Sequence, residues 1–208
     1  MISMWLMKIL VFDTETTGFI DKKNPNLDGQ PYIIQFAGIL WKLDNWVYDE
    51  IARKDILIKA PIPIPYGASQ VHHIYDIDVL NAPAMRECID DIMSFVQEAD
   101  VVVWHNIEYD EDMLKLELRR NEKLHLYTPN QVVCTMKQSV DFCCLEGNWA
   151  KYKYPKLWEL YKKLFWEYFI GAHDAMVDVE ATLKCFLELE KQGIITLKGK
   201  EQEILSLF

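Results

Sequence analysis

Apolar positions along the chain recur in two rhythms. Short, nearly continuous apolar runs predict strands at residues 7–13, 32–43 and 46–58, with Asp44-Asn45 as the turn between the last two. That order predicts an antiparallel three-strand meander led by a central strand. Residues 59–66 carry Pro61, Pro63 and Pro65, so extended loop is expected there. The rhythm then changes: Met85, Cys88, Ile89, Ile92, Met93 and Val96 stand at helical spacing within residues 84–99. Residues 100–105 form a short apolar run that suits a strand buried on both faces. A helix is expected over 110–121, a short strand and then a helix over 132–143, and closing helices over 158–165 and 174–191. Gly193 is the stop signal for the last of them. A meander followed by alternating strand and helix predicts an α/β fold, with a mixed sheet flanked by helices. Residues 1–193 are expected to form one domain. Residues 194–208 fall outside the core pattern and look like an appended tail.

Composition narrows the setting. The chain has 208 residues, half of them apolar, which suits one domain with a sizeable core. No apolar stretch approaches the roughly eighteen residues that a bilayer crossing needs. Residues 1–12 are apolar but run directly into Asp13 without a cleavage pattern, so a signal peptide is not expected. The five cysteines, odd in number and without a Cys-x-x-Cys pair, read as free thiols in a reducing, cytoplasmic setting. A net charge of −10 excludes a protein that coats nucleic acid through a broad basic surface. It leaves a nuclease open, because divalent ions reverse the field around clustered acids. Weak grip on a strand and low processivity are expected without a partner.

The candidate chemistry starts at Asp13-Thr14-Glu15-Thr16-Thr17-Gly18, at the end of the first apolar run. Alternate side chains of a strand share a face, so Asp13 and Glu15 stand side by side. Two carboxylates about 5 Å apart repel by about 3 kcal/mol at an effective dielectric near 20. A buried strand keeps such a pair when a cation or a shared proton offsets the cost. The plainer reading is a strand end entering an ordinary polar turn. Two further clusters follow: His105-Asn106-Ile107-Glu108-Tyr109-Asp110 after the run 101–104, and His173-Asp174-Ala175-Met176-Val177-Asp178 at the start of a late helix.

In this order the three clusters resemble the DEDDh family of 3′→5′ exonucleases, which includes the proofreading (epsilon) subunit of bacterial DNA polymerase III. The match is Asp-x-Glu-x-Thr-Gly, then Asn-x-x-x-Asp, then His-x-Ala-x-x-Asp, and it spans roughly residues 7–190. The resemblance implies a ribonuclease-H-like fold and a centre that holds two Mg2+ or Mn2+ ions, which oxygen-only ligands suit. It implies that Asp13 bridges both ions, that Glu15 and Asp178 complete the site activating water, and that Asp110 serves the second ion. Asp110 also has a plain reading, as an acid favoured in the first turn of any helix.

His173 is the expected general base. Residues five apart on one helix point about 140° apart, so His173 belongs on the loop before the helix, with Asp174 as its N-cap and Asp178 in the first turn or so. Thr16, Thr17 and Gly18 are expected to form a turn that receives the terminal nucleotide, through a threonine hydroxyl or backbone amides. Phe19 either stacks on the last base or packs in the core, and Asn106 is counted with the substrate-binding residues. His105 reads as structural. His72-His73-Ile74 stands where the family often has His-Gly-Ile, and the missing glycine puts a backbone contact there in question.

Lys151-Tyr152-Lys153-Tyr154-Pro155-Lys156 is either a single-strand-binding segment or a solvated connector. Trp149, Trp158 and Trp166 read as packing residues rather than base platforms. Leu205-Ser206-Leu207-Phe208 resembles the peptide by which bacterial replication proteins dock on a sliding clamp, although Ile204 takes the glutamine position; an apolar tail packed on its own domain is the alternative. The expected activity is 3′→5′ exonuclease action on single-stranded or frayed DNA, releasing nucleoside 5′-monophosphates, with a clamp or polymerase as partner and no membrane. An exoribonuclease on short RNA and a catalytically silent binding module are the competing readings.

Overall fold

The computed structural model describes residues 6–44, 47–148 and 151–198. In chain order the strands are β1 (Leu6–Thr16), β2 (Ile33–Asp44), β3 (Val47–Leu57), β4 (Val101–Trp104) and β5 (Gln131–Cys134). The helices are α1 (Tyr66–His72), α2 (Met85–Gln97), α3 (Ile107–Arg120), α4 (Thr135–Gln138), α5 (Val140–Cys143), α6 (Leu157–Phe165) and α7 (Ala175–Lys191). The sheet order is β3-β2-β1-β4-β5. β1 pairs antiparallel with β2 and parallel with β4, so the expected meander and the parallel half meet on the central strand.

Side-chain alternation on β1 divides the core. Ile9 and Val11 join Val179, Leu183 and Phe186 of α7 and Leu160 of α6 on one face. Leu10 and Phe12 join Ile89 and Ile92 of α2 and Met113 and Leu114 of α3 on the other. All four residues of β4 are buried, as expected of a strand covered on both sides. Gly38 of β2 lies under α2: a Cβ there would stand 3.1 Å from the Phe95 ring, tighter than ordinary packing. Glycine thus lets the helix settle onto the sheet.

Two expectations need correction. The loop expected over 59–66 runs directly into α1, which begins after Pro65. α1 buries only Ser69 and His72, so no apolar rhythm announces it. Residues 194–198 are not outside the core, because Ile195 and Leu197 are buried beside the α7 face. The expected turn residue Asn45, the strand start at Trp46, Trp149 and the clamp-like residues 204–208 lie outside the described residues.

Phe186 is fully buried in the α7 face. Phe186→Ala is expected to lower unfolding free energy by about 3–5 kcal/mol; a urea midpoint unchanged from wild type would show that this face does not hold the fold together.

Candidate active site

The alternation that divides the core continues to the end of β1 and assigns the acids. Asp13 and Glu15 follow Ile9 and Val11 in phase, onto the face covered by α7, where Asp178 lies in the first turn. Thr14 follows Leu10 and Phe12 onto the α3 face. There its backbone N–H (3.2 Å) and its hydroxyl (2.8 Å) both donate to Oδ1 of the buried Asp110. One strand end therefore gathers carboxylates from both faces of the sheet.

The third cluster is arranged as the helical geometry requires. Asp174 is the N-cap of α7, accepting from the backbone N–H groups of Met176 (3.0 Å) and Val177 (3.2 Å). His173 precedes the helix in a left-handed conformation, φ 71°. Its backbone N–H donates to Oδ2 of Asp178 at 2.9 Å, and its side chain is exposed. Ligand atoms of Glu15, His173 and Asp178 all lie within 4.8 Å of one another.

The electrostatics tie the acids into one centre. Burial raises the Asp13 carboxyl well above its usual range, and the charges of Asp110, Asp178 and Glu15 add to it. Glu15 is pushed up to about 8, by burial first and then by Asp178 and Asp110. Burial raises Asp110 to about 7 against the two Thr14 hydrogen bonds, which favour the charged form. Asp178 rises to about 6 through burial, moderated by the His173 N–H and imidazole. The charges of Asp110 and Asp178 thus act on both Asp13 and Glu15, and Glu15, His173 and Asp178 present ligand atoms close enough together for one hard cation. The donor set of the four acids, acceptor-only oxygen when ionised, fits Mg2+ or Mn2+. Asp13, Glu15, Asp110 and Asp178 could hold such ions.

The turn after β1 is built by partners that the sequence did not announce. The Tyr109 hydroxyl donates to the Gly18 carbonyl at 2.6 Å and also bonds the Thr16 hydroxyl, which itself reaches Gly18 O at 2.9 Å. The Thr17 hydroxyl accepts from the Tyr32 N–H at 2.9 Å. Both threonine hydroxyls thus hold the turn itself. A Cβ on Gly18 would meet nothing within 4 Å, so the protein leaves open space above it. Phe19 is 91% exposed, which removes the core-packing reading, and its ring stands 6.0 Å from that of Tyr109. Asn106, exposed at the N-cap of α3, makes no capping bond with its side chain.

Other residues serve from behind. Gln35 pairs in register with Glu15 and accepts from the backbone N–H of Ala175 at 3.4 Å, fixing the start of α7 beside the acids. A glutamine inside the apolar run 32–43 was the available signal. His105 is structural, as expected. Its Nε2–H donates to Pro155 O at 3.0 Å, its Nδ1 lies 3.0 Å from the Thr135 hydroxyl, and burial lowers its pKa to about 4. His73 adopts the left-handed backbone (φ 60°) at the position where glycine was missing, so the turn forms without it.

A family model described as Exonuclease matches residues 10–186. The chain belongs to the Exonuclease family. It is 31% identical over 107 residues to the DNA polymerase III subunit epsilon of Treponema pallidum, covering 51% of this chain and 44% of that one. It is 32% identical over 109 residues to a DNA polymerase III subunit epsilon-like protein of Rhodobacter capsulatus, covering 52% of this chain and 14% of that one. The chain thus spans less than half the length of these relatives. Among solved structures, the zinc-bound complex of Escherichia coli exonuclease I with single-stranded DNA has a TM-score of 0.67 at 20% identity, over 89% of this chain and 41% of that one. Exonuclease X with 5′-overhanging duplex DNA has a TM-score of 0.57 at 22% identity, over 89% and 93%. These likenesses show the fold, which is ribonuclease-H-like. The chain is a nuclease-type domain of the Exonuclease family, similar to the epsilon subunit over part of that protein's length, with a candidate divalent-metal centre. No helix among its described residues is long and apolar enough to cross a membrane.

Two measurements test the centre. Raised carboxyls mean that the folded, metal-free protein keeps protons the unfolded chain has released above about pH 4. Their stabilising contribution should therefore be lost as pH rises through about 6, 7 and 8, the values of Asp178, Asp110 and Glu15. Melting temperature without metal should fall over that window, and the gain on adding Mg2+ should grow with pH; a pH-independent Mg2+ gain would separate the acids. Thr14→Val should weaken the apparent Mg2+ affinity by about 10–100-fold with the fold intact, read from metal titrations of the same melt. Unchanged affinity would leave the Thr14–Asp110 bonds without a role in orienting the carboxylate.

Proposed function

We propose that the exonuclease removes nucleotides from the 3′ end of single-stranded or frayed DNA, working 3′→5′ and releasing nucleoside 5′-monophosphates. The observation that carries this reading is the raising of four carboxyls by burial and by neighbouring acids, with His173 beside Glu15 and Asp178. Asp13, Glu15, Asp110 and Asp178 would hold two Mg2+ or Mn2+ ions. Such ions, when bound, stabilise charge on the phosphoryl group and the leaving oxygen and make water a better nucleophile. The chain's own residues orient and move protons. Asp13 on the central strand fixes the middle of the centre, Glu15 and Asp178 its His173 side, and Asp110 its α3 side. His173, exposed on its loop, takes the proton from the attacking water. The turn at Thr16, Thr17 and Gly18 receives the terminal nucleotide through its backbone, in the open space over Gly18. Phe19 stacks on the last base, and Asn106 reaches the sugar-phosphate from the mouth of α3.

DNA is favoured because the relatives are named for a DNA polymerase and the solved neighbours exonuclease I and exonuclease X were captured with DNA. RNA is the second reading: a structure described as 3′-end recognition of a histone mRNA stem-loop by a 3′-exonuclease has a TM-score of 0.68 at 13% identity, over 91% of this chain and 84% of that one. The names of the same relatives support a polymerase partner, and the free cysteines support cytoplasmic action. Residues 1–193 carry the catalytic domain in this reading, with the packed residues 194–198 extending it, and the remaining tail as a sliding-clamp peptide.

Matched 5′-labelled DNA and RNA strands, incubated with Mg2+ or Mn2+, should shorten from the 3′ end, with DNA shortened faster. Asp13→Ala should abolish cleavage, and retained cleavage would misplace the centre. His173→Ala should cut turnover by about 10²–10⁴-fold while Mg2+ still raises the melting temperature; near-normal turnover would remove it as base. Deleting residues 204–208 should abolish clamp pull-down and leave hydrolysis of short strands intact. A full-length protein that binds no clamp would end the tail reading.

A further inference from the structure

Exposed aromatics and lysines concentrate on one short segment of this acidic chain. Residues 151–168 hold five lysines against two glutamates, in a protein whose net charge is −10. Trp158 and Trp166, expected to pack, do not: they are 42% and 88% exposed, and Tyr154 and Tyr168 are each 59% exposed. α6 turns Leu160 and Tyr161 inward, and its outer face carries Trp158 and Lys162, four residues apart and therefore neighbours. Trp166 follows at the same spacing, as the C-cap in a left-handed conformation, φ 61°. The Trp158 and Tyr168 rings lie 6.1 Å apart at a 30° tilt, and the Lys162 ammonium donates to the Tyr168 hydroxyl. These rings are preassembled yet stay in water.

Both ends of the segment are tied to parts of the chain that carry acids of the centre. At the entry, Pro155 O accepts from the His105 Nε2–H, one residue before Asn106 and five before Asp110. At the exit, the Phe169 ring stands 5.2 Å from that of Tyr161, and Gly171 lies against Val177, one residue before Asp178. The outer face of α6 is thus a strip whose entry is bonded to the segment that leads into Asp110 and whose exit packs on the helix that carries Asp178.

We infer that the strip formed by Lys156, Trp158, Lys162, Trp166 and Tyr168 binds the single-stranded nucleic acid upstream of the nucleotide being removed. Flat rings interleaved with cations accept any base by stacking and any backbone by charge. An anionic strand is the occupant that charge selects: lysines would repel a cationic partner, and a neutral apolar partner would leave them unpaired. The inference deepens the proposed nuclease reading, which supplies the upstream strand. It also shows how an acidic protein gains grip without a broad basic surface.

The test uses the full chain and fluorescein-labelled dT20, with binding measured by anisotropy in EDTA so that no turnover intervenes. Trp166→Ala is expected to weaken dT20 binding about tenfold, the effect of one lost stacking contact. Lys156→Gln with Lys162→Gln should lower the slope of log affinity against log salt by about 0.7 for each phosphate contact removed. Both variants should hydrolyse the p-nitrophenyl ester of thymidine 5′-monophosphate in Mn2+ at the wild-type rate, since that substrate has no upstream strand. If both bind dT20 as wild type does, or if wild type binds no dT20, the inference fails, and the face is left to a protein partner. If the variants lose dT20 while wild type hydrolyses neither the ester nor dT20 in Mn2+, the nuclease reading fails and the strand-binding surface stands.

Discussion

The structure depends on holding like charges together. Asp13 and Glu15 come from the central strand, Asp110 from the helix on one face of the sheet, and Asp178 from the helix on the other. Burial opposes the ionised form of each and neighbouring carboxylate charges add to it, so the surrounding structure must constrain what the acids themselves resist. The apolar layers do this at a distance. Phe12 packs edge-on against Trp104, with centroids 4.9 Å apart and planes at 74°, immediately before Asp13 on one strand and just before the Asn106 cap on the other. The rigidity of that contact reaches Asp13 directly along the chain, leaving it little freedom to relax the repulsion by drifting away.

Each acid is also steadied locally. Asp110 is held by both donors of Thr14, Asp178 by the N–H of His173, and the start of α7 by Gln35 next to Glu15 in register. These bonds favour ionised, oriented carboxylates, which is the state a hard cation requires. The cost of building the centre is thereby placed in the free protein, where packing meets it, and a bound ion would release it.

How much of this could be read from the chain follows the range of the interaction. Alternation along β1 is local, so the sharing of a face by Asp13 and Glu15 was legible, as was the place of His173 ahead of its helix, which the helical angle alone requires. The Thr14–Asp110 bonds join residues 96 apart, and nothing at position 14 distinguishes a threonine that orients a ligand from one that fills a strand. Helix α1 was missed because it buries a serine and a histidine rather than an apolar stripe. Ile195 and Leu197 were missed because two apolar residues make no period, although their side chains complete the α7 face. The outward tryptophans were misread for the opposite reason: size and apolarity predict burial on average, and α6 had already filled its inward face with Leu160 and Tyr161.

Phe19 stands nearly bare to water at the tip of a turn whose other members are tied down. Folding forgoes about 1.5–3 kcal/mol by leaving a ring of that kind uncovered, and the sum becomes available when another flat surface arrives. A base that shields the ring before bond cleavage would still shield it afterwards. Under the proposed function, affinity gained at this position would slow departure as much as it favours arrival, and would tie the pace of repeated cycles to how readily a severed nucleotide slides off one phenyl ring.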